Sequence, residues 1–194
     1  GTTSLVLGTS SGIHAWHNDY YIRRLRVGKN EAIYKYLINN NPELVKDEYF
    51  RPHDTAVIEI PQASPKGSIL RTESAFDLME RVKLVANDWV KPGHRTGSNT
   101  HNVSATISLK KEEWDKAGEW MWKNRDCYNG LSVLPYDGGT YTQAPFEDIT
   151  KKKFEELVKL LQDVNLENVI EETDETDLSG ELACAGGSCE ITSL

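Results

Sequence analysis

The chain has 194 residues, 27% of them charged, and a formal net charge of -8. That length fits one domain or part of a larger protein. The acidic balance gives no support to nucleic-acid binding, which wants a basic face, and no apolar run approaches the roughly 20 residues of a membrane span.

Gly1-Thr2-Thr3-Ser4 leads into the apolar run Leu5-Val6-Leu7, and Gly8-Thr9-Ser10-Ser11-Gly12 reads as a loop. The stretch from Tyr20 to Val27 alternates only loosely, because Arg23, Arg24 and Arg26 interrupt it. Asn30 is placed to cap a helix over 31–39, and Asn41-Pro42 is a second helix start. Thr55 to Ile60 reads as a β-branched strand ending at Pro61. The strongest helix spans 72–90, with Ala75, Leu78, Met79, Val82, Leu84, Val85 and Trp89 in one broad apolar stripe. Val103 to Leu109 alternates with period two and predicts a strand; 111–123 predicts a helix with Trp114, Ala117, Trp120 and Met121 on one face. A short buried strand over 131–134, a helix over 151–161 capped by Thr150, and a last short strand at Val169-Ile170 complete the order. Alternation of this kind favours an α/β arrangement. From Glu171 onward the chain is acidic and poor in aromatic residues, the composition of a mobile tail.

Two segments carry chemistry. In Gly1-Thr2-Thr3-Ser4, glycine permits close backbone approach and three hydroxyls supply donors, so backbone N–H groups could cradle an anion. By composition alone a polar turn competes with that reading. In the tail, four residues separate Cys184 from Cys189, glycines among them. On a flexible tether such a pair suits thiol–disulfide exchange, which proceeds through a mixed disulfide. A zinc site would want four ligands, and no histidine cluster lies beside the pair. An incidental pair of thiols is the bland alternative.

His14, His17, Asn18 and Asp19 read as a hydrogen-bonded loop in preference to a metal site, and Tyr20-Tyr21 as core packing. Cys127 reads as a small buried hydrophobe or an incidental thiol. The segment from Leu131 to Phe146 either lines a ligand pocket or is a connection packed by its aromatics.

In this order the pieces resemble one family. GTTSLVLGTSSGIHAWHNDYYIRR is similar to the segment of ribonucleotide reductase large subunits that binds substrate phosphates. NTHNVSATISL, SVLPYDGGTYTQAPFED and GELACAGGSCEI resemble C-terminal stretches of the class II, adenosylcobalamin-dependent branch. The resemblance implies the C-terminal portion of a ten-stranded α/β barrel over 1–171, followed by a flexible redox tail over 172–194. It implies that Gly1, Thr2, Thr3 and Ser4 hold the phosphates of a ribonucleotide. Cys184 and Cys189 would shuttle reducing equivalents from thioredoxin or a similar reductant. It also implies a thiyl radical, raised with adenosylcobalamin, on a cysteine lying N-terminal to this sequence. The expectation is therefore a split or excised cytoplasmic protein, inactive without an N-terminal partner; a non-enzymatic thiol-redox or binding module is the alternative.

Overall fold

The structure is a computed structural model describing residues 3–4, 7–136, 138, 141–171, 184–185 and 188–189. Gly1 and Thr2 of the expected phosphate segment and most of the expected tail lie outside the described residues. The chain divides into two compact units, Gly1–Arg23 with Pro61–Glu156, and Arg24–Ile60 with Leu157–Leu194.

The loosely alternating stretch is a nine-residue strand, β1 (Tyr20–Gly28). Its alternation is hidden because Arg24 points inward, 9% exposed, and is neutralised by Glu59 at 2.7 Å. In the second unit β1 is followed by α1 (Ala32–Asn40), β2 (Val45–Asp47) and β3 (Thr55–Ala63). Asn30 does not cap α1. Glu31 stands at the N-cap position, and its carboxylate accepts from the Gly28 N–H at 2.8 Å. Pro42 opens a single 3-10 turn, Pro42–Leu44. β2 and β3 pair antiparallel, Val45 opposite Ile58, and Val27, Leu37, Val45, Ala56 and Ile58 form the core of this unit.

Pro61 does not end β3. The register with β2 stops at Ile58, so Pro61 lies beyond the stretch where that partner strand uses ladder donors.

In the first unit β1 pairs antiparallel with β6 (Phe146–Asp148), Tyr21 opposite Asp148. The strong helix is α2 (Ala75–Val85), opened by a capping box in which Ser74 and Asp77 satisfy each other's backbone N–H. It continues through a π-helical turn, Ala86–Val90, and a final helical turn, Lys91–Gly93. Met79, Val82 and Ala86 are buried, whereas Leu84 and Trp89 are exposed. The expected stripe was too broad: Leu84 falls off the inward face, and the wider π turn shifts the phase before Trp89.

The alternating stretch narrows to β4 (Thr106–Leu109), pairing in parallel with β5 (Ser132–Pro135), Ile107 opposite Val133. Between them runs α3 (Trp114–Lys123) after a 3-10 turn. Met79, Ile107, Leu109 and Ala117 form one core cluster, and Val82, Ala86, Val103 and Ala105 a second. Fully burying the methionine, isoleucine, leucine and valine side chains among them contributes about 1.5–3 kcal/mol each.

The last helix is α4 (Lys151–Val158), with the Thr150 hydroxyl accepting from the Lys153 N–H at 3.2 Å. Val169 and Ile170 form no strand; the nearest regular element is a 3-10 turn, Leu166–Asn168. Two two-residue strands, β7 (Cys184–Ala185) and β8 (Ser188–Cys189), pair antiparallel in the tail. No helix among the described residues is long and apolar enough to cross a membrane.

Candidate functional site

Thr3 and Ser4 lie in a helical turn. The Thr3 carbonyl accepts from the Leu7 N–H at 3.0 Å and the Ser4 carbonyl from the Thr9 N–H at 2.9 Å. Thr3 is exposed and Ser4 half-buried. The loop beyond them turns at Gly8 and Gly12, both at positive φ (61° and 58°), which glycine adopts without steric cost.

Three anchors then fix the loop's return. Arg81 of α2 donates to the Ile13 carbonyl at 3.1 Å while paired with Glu73. The Trp16 N–H donates to the Ile69 carbonyl, and the Arg71 N–H donates to the Trp16 carbonyl, each at 2.8 Å. The third anchor is the His17 side chain. Its Nε2 lies 2.9 Å from Asp148 of β6, and its Nδ1 lies 3.1 Å from the Arg71 guanidinium. Arginine only donates, so Nδ1 must accept and Nε2 carries the proton: the ring is neutral. Phe146 stacks on the imidazole at 5.0 Å and Tyr21 meets it edge-on at 5.4 Å. Burial and the nearby Arg71 charge hold the His17 pKa below its ordinary value, outweighing the pull of Asp148. Burial raises the Tyr21 pKa and lowers that of Arg23, whose guanidinium lies over the far partner of the stack, Phe146.

The expected loop cluster is thus hydrogen-bonded through His17, and His14 is turned back onto the Ser11 carbonyl at 2.8 Å. Among the described residues no three His, Cys, Asp or Glu side chains are grouped to hold a metal ion.

The 99–107 segment is a structural brace. The Asn102 amide brackets Gly130 in both directions, donating to its carbonyl at 3.1 Å and accepting from its N–H at 3.2 Å. Asn129 donates to the Thr100 carbonyl at 2.9 Å. Cys127 is a half-buried free thiol. In the 131–146 connection, Phe146 packs against His17 and Tyr21.

In the tail the backbone register sets Cys184 directly opposite Cys189 and Ala185 opposite Ser188. Residues 186–187 between them lie outside the described residues. The sequence singled out both ends of the chain; it missed the Arg71–His17–Asp148 bridge, because its three members lie on segments far apart in sequence.

No protein-family model matches the sequence. Curated relatives match nearly all of it. An adenosylcobalamin-dependent ribonucleoside-triphosphate reductase of Euglena gracilis is 33% identical over 183 residues, covering 90% of this chain and 24% of that enzyme. The enzyme of that name from Lactobacillus acidophilus is 27% identical, over 98% of this chain and 25% of its own length. The chain therefore spans about a quarter of the length of the relatives it matches. A crystal structure of a B-12 dependent (class II) ribonucleotide reductase shares the fold, with a TM-score of 0.68 at 22% identity. It covers 87% of this chain and 23% of that one. The resemblance to class II reductases carried by the sequence motifs is thus borne out by named relatives and by the α/β fold.

Proposed function

We propose that this chain is the C-terminal part of an adenosylcobalamin-dependent ribonucleotide reductase. It completes the catalytic barrel together with the polypeptide that makes up the rest of its relatives' length. The observation that carries the reading is the near-full coverage of this chain by relatives of that name. Their names favour a ribonucleoside triphosphate as the substrate.

Gly1, Thr2, Thr3 and Ser4 hold the substrate's phosphates through backbone N–H groups and hydroxyls. Cys184 and Cys189 deliver electrons. One thiolate attacks a disulfide in the barrel to form a mixed disulfide. The second thiol then displaces it, leaving Cys184–Cys189 oxidised and the barrel pair reduced, with two electrons passed inward. Thioredoxin or a similar dithiol reverses the tail's oxidation. The antiparallel register supports this pairing: opposed residues in such ladders have Cα atoms about 4.5–5.5 Å apart, inside the range a disulfide requires.

The barrel reading draws support from β4 and β5. Two parallel strands without further partners among the described residues are unusual, since parallel sheets are normally covered on both faces. Leu134 and Tyr136 stand 50% and 59% exposed at the β5 edge, where further strands would lie. The cofactor supplies the radical when bound. The hollow beside Cys127 is about 30 Å³, the room of one water, and the groove along Asp77, Arg81 and Asp88 is open to solvent. Neither fits a corrinoid, which is in keeping with a cofactor bound mainly by the remaining polypeptide.

The test is a nucleotide-reduction assay on this chain joined to, or mixed with, the N-terminal part, with and without adenosylcobalamin. Cofactor-dependent deoxynucleotide is the expected product. Cys184→Ser or Cys189→Ser should abolish repeated turnover with thioredoxin while sparing one turnover from prereduced enzyme. A stable complex that makes no product would refute the reading and leave a thiol-redox module in its place.

A further inference from the structure

We propose that His17 is a positioning residue for the substrate-phosphate segment: its neutral imidazole ties Arg71 to Asp148 and so fixes the far end of the loop that leaves Thr3 and Ser4. The inference rests on the phosphate-binding role given to that segment above.

The loop that follows Ser4 turns at two positive-φ glycines, Gly8 and Gly12, and its return is held at Ile13 by Arg81 and at Trp16 by the segment around Leu70. Arg71 holds it twice. Its backbone N–H donates to the Trp16 carbonyl, and its guanidinium donates to His17. The second bond exists only while Nδ1 carries a lone pair. Protonation turns Nδ1 into a donor facing another donor and sets two positive charges side by side.

The groups facing the ring decide how it responds to that proton. Asp148 from β6 strengthens its hold on an imidazolium. Tyr21, whose pKa is raised, stays neutral, and Arg23 lies beyond Phe146. Acid therefore does not eject the ring; it breaks the Arg71 arm alone. Burial in the stack and Arg71 shift that event to a pH below histidine's ordinary value. The device is a clamp, closed at neutral pH and opened from one side by acid.

The experiment uses the complete reductase with wild-type, His17→Gln and His17→Phe chains. Glutamine keeps a donor for Asp148 and an acceptor for Arg71 but does not titrate. Phenylalanine keeps the stack on Phe146 and loses both bonds. Two readouts are taken across about pH 5 to 8, the range in which histidine switches. One is amide hydrogen-exchange protection of residues 13–16 without nucleotide, corrected for intrinsic rates. The other is KM for the ribonucleotide, separated from kcat.

Losing one such bond corresponds to about a tenfold change. Wild type should lose about that much protection on acidification, and its KM should rise by a similar factor while kcat holds. His17→Gln should give flat profiles near the neutral wild-type values. His17→Phe should be poorly protected, with raised KM at every pH. A His17→Gln enzyme that tracks the wild-type acid limb overturns the proposal. So does protection that changes while KM does not. Hydrogen exchange reads the clamp even if the wild-type enzyme reduces no nucleotide, in which case it is the functional reading that fails.

Discussion

The β4–β5 pair offers a quantitative test, because it carries two aliphatic side chains in opposite surroundings. Ile107 on β4 is fully buried, and Leu134 on β5 is 50% exposed. Ile107→Ala removes about three carbon groups, which at ~0.8 kcal/mol each amounts to about 2.4 kcal/mol of transfer free energy. The cavity left among Met79, Leu109 and Ala117 cannot fully collapse and raises the total to about 3–4 kcal/mol. Leu134→Ala deletes as much carbon, but half of it is already in water, so its cost in this chain is about 1 kcal/mol. Urea unfolding followed by tryptophan fluorescence reads both, with an unchanged m-value showing that the unfolded states remain comparable. In the proposed complete reductase the Leu134→Ala cost should rise to about 2–4 kcal/mol if further strands cover β5, while that of Ile107→Ala stays put. Equal costs for the two variants in this chain would refute the burial argument. A Leu134→Ala cost that does not grow in the complete protein would refute the covered edge and weaken the barrel reading with it.

Two further predictions concern the separate units. Ser74→Ala breaks the capping box at the start of α2 and should cost about 1 kcal/mol in thermal unfolding, with Ser74→Asp restoring most of it. Burial pushes the Glu48 pKa up, but N–H groups of Arg51 and Phe50 and the Arg26 guanidinium outweigh it, leaving the carboxyl below its usual 4.5. A depressed carboxyl contributes stability that is present above the unfolded value and lost as pH falls through the folded one. The urea midpoint should therefore drop below about pH 4.5 in wild type and more shallowly in Glu48→Gln.

Local structure was readable where one segment decides it. The helix of α2, the alternation of β4 and the Thr150 cap each depend on residues within one or two turns, and each appears. The errors arose where a distant partner decides. Arg24 looks like a break in β1 until Glu59, 35 residues on, neutralises it. Pro61 looks like a strand end until the register shows that β2 has already left. Trp89 looks like core until a π turn, which no short-range pattern announces, rotates it outward.

The same division runs through the candidate site. The proposed phosphate segment and the cysteine pair are each contiguous in sequence, so motif and resemblance can point to them. The Arg71–His17–Asp148 bridge cannot be read that way, because a histidine beside an aspartate in the string, His17 and Asp19, is not the pair that forms. His17 reaches Arg71, 54 residues on, only because Trp16 is laddered onto the segment around Leu70, and it reaches Asp148 only because β6 pairs with β1. Its chemistry is thus a product of strand pairing. A substitution that shifts the β1–β6 register by one residue would turn Asp148 to the other face and undo the bridge without touching any of its three members. A variant in that ladder which keeps the fold, yet raises KM as is expected of His17→Phe, would locate the control of the loop in the sheet.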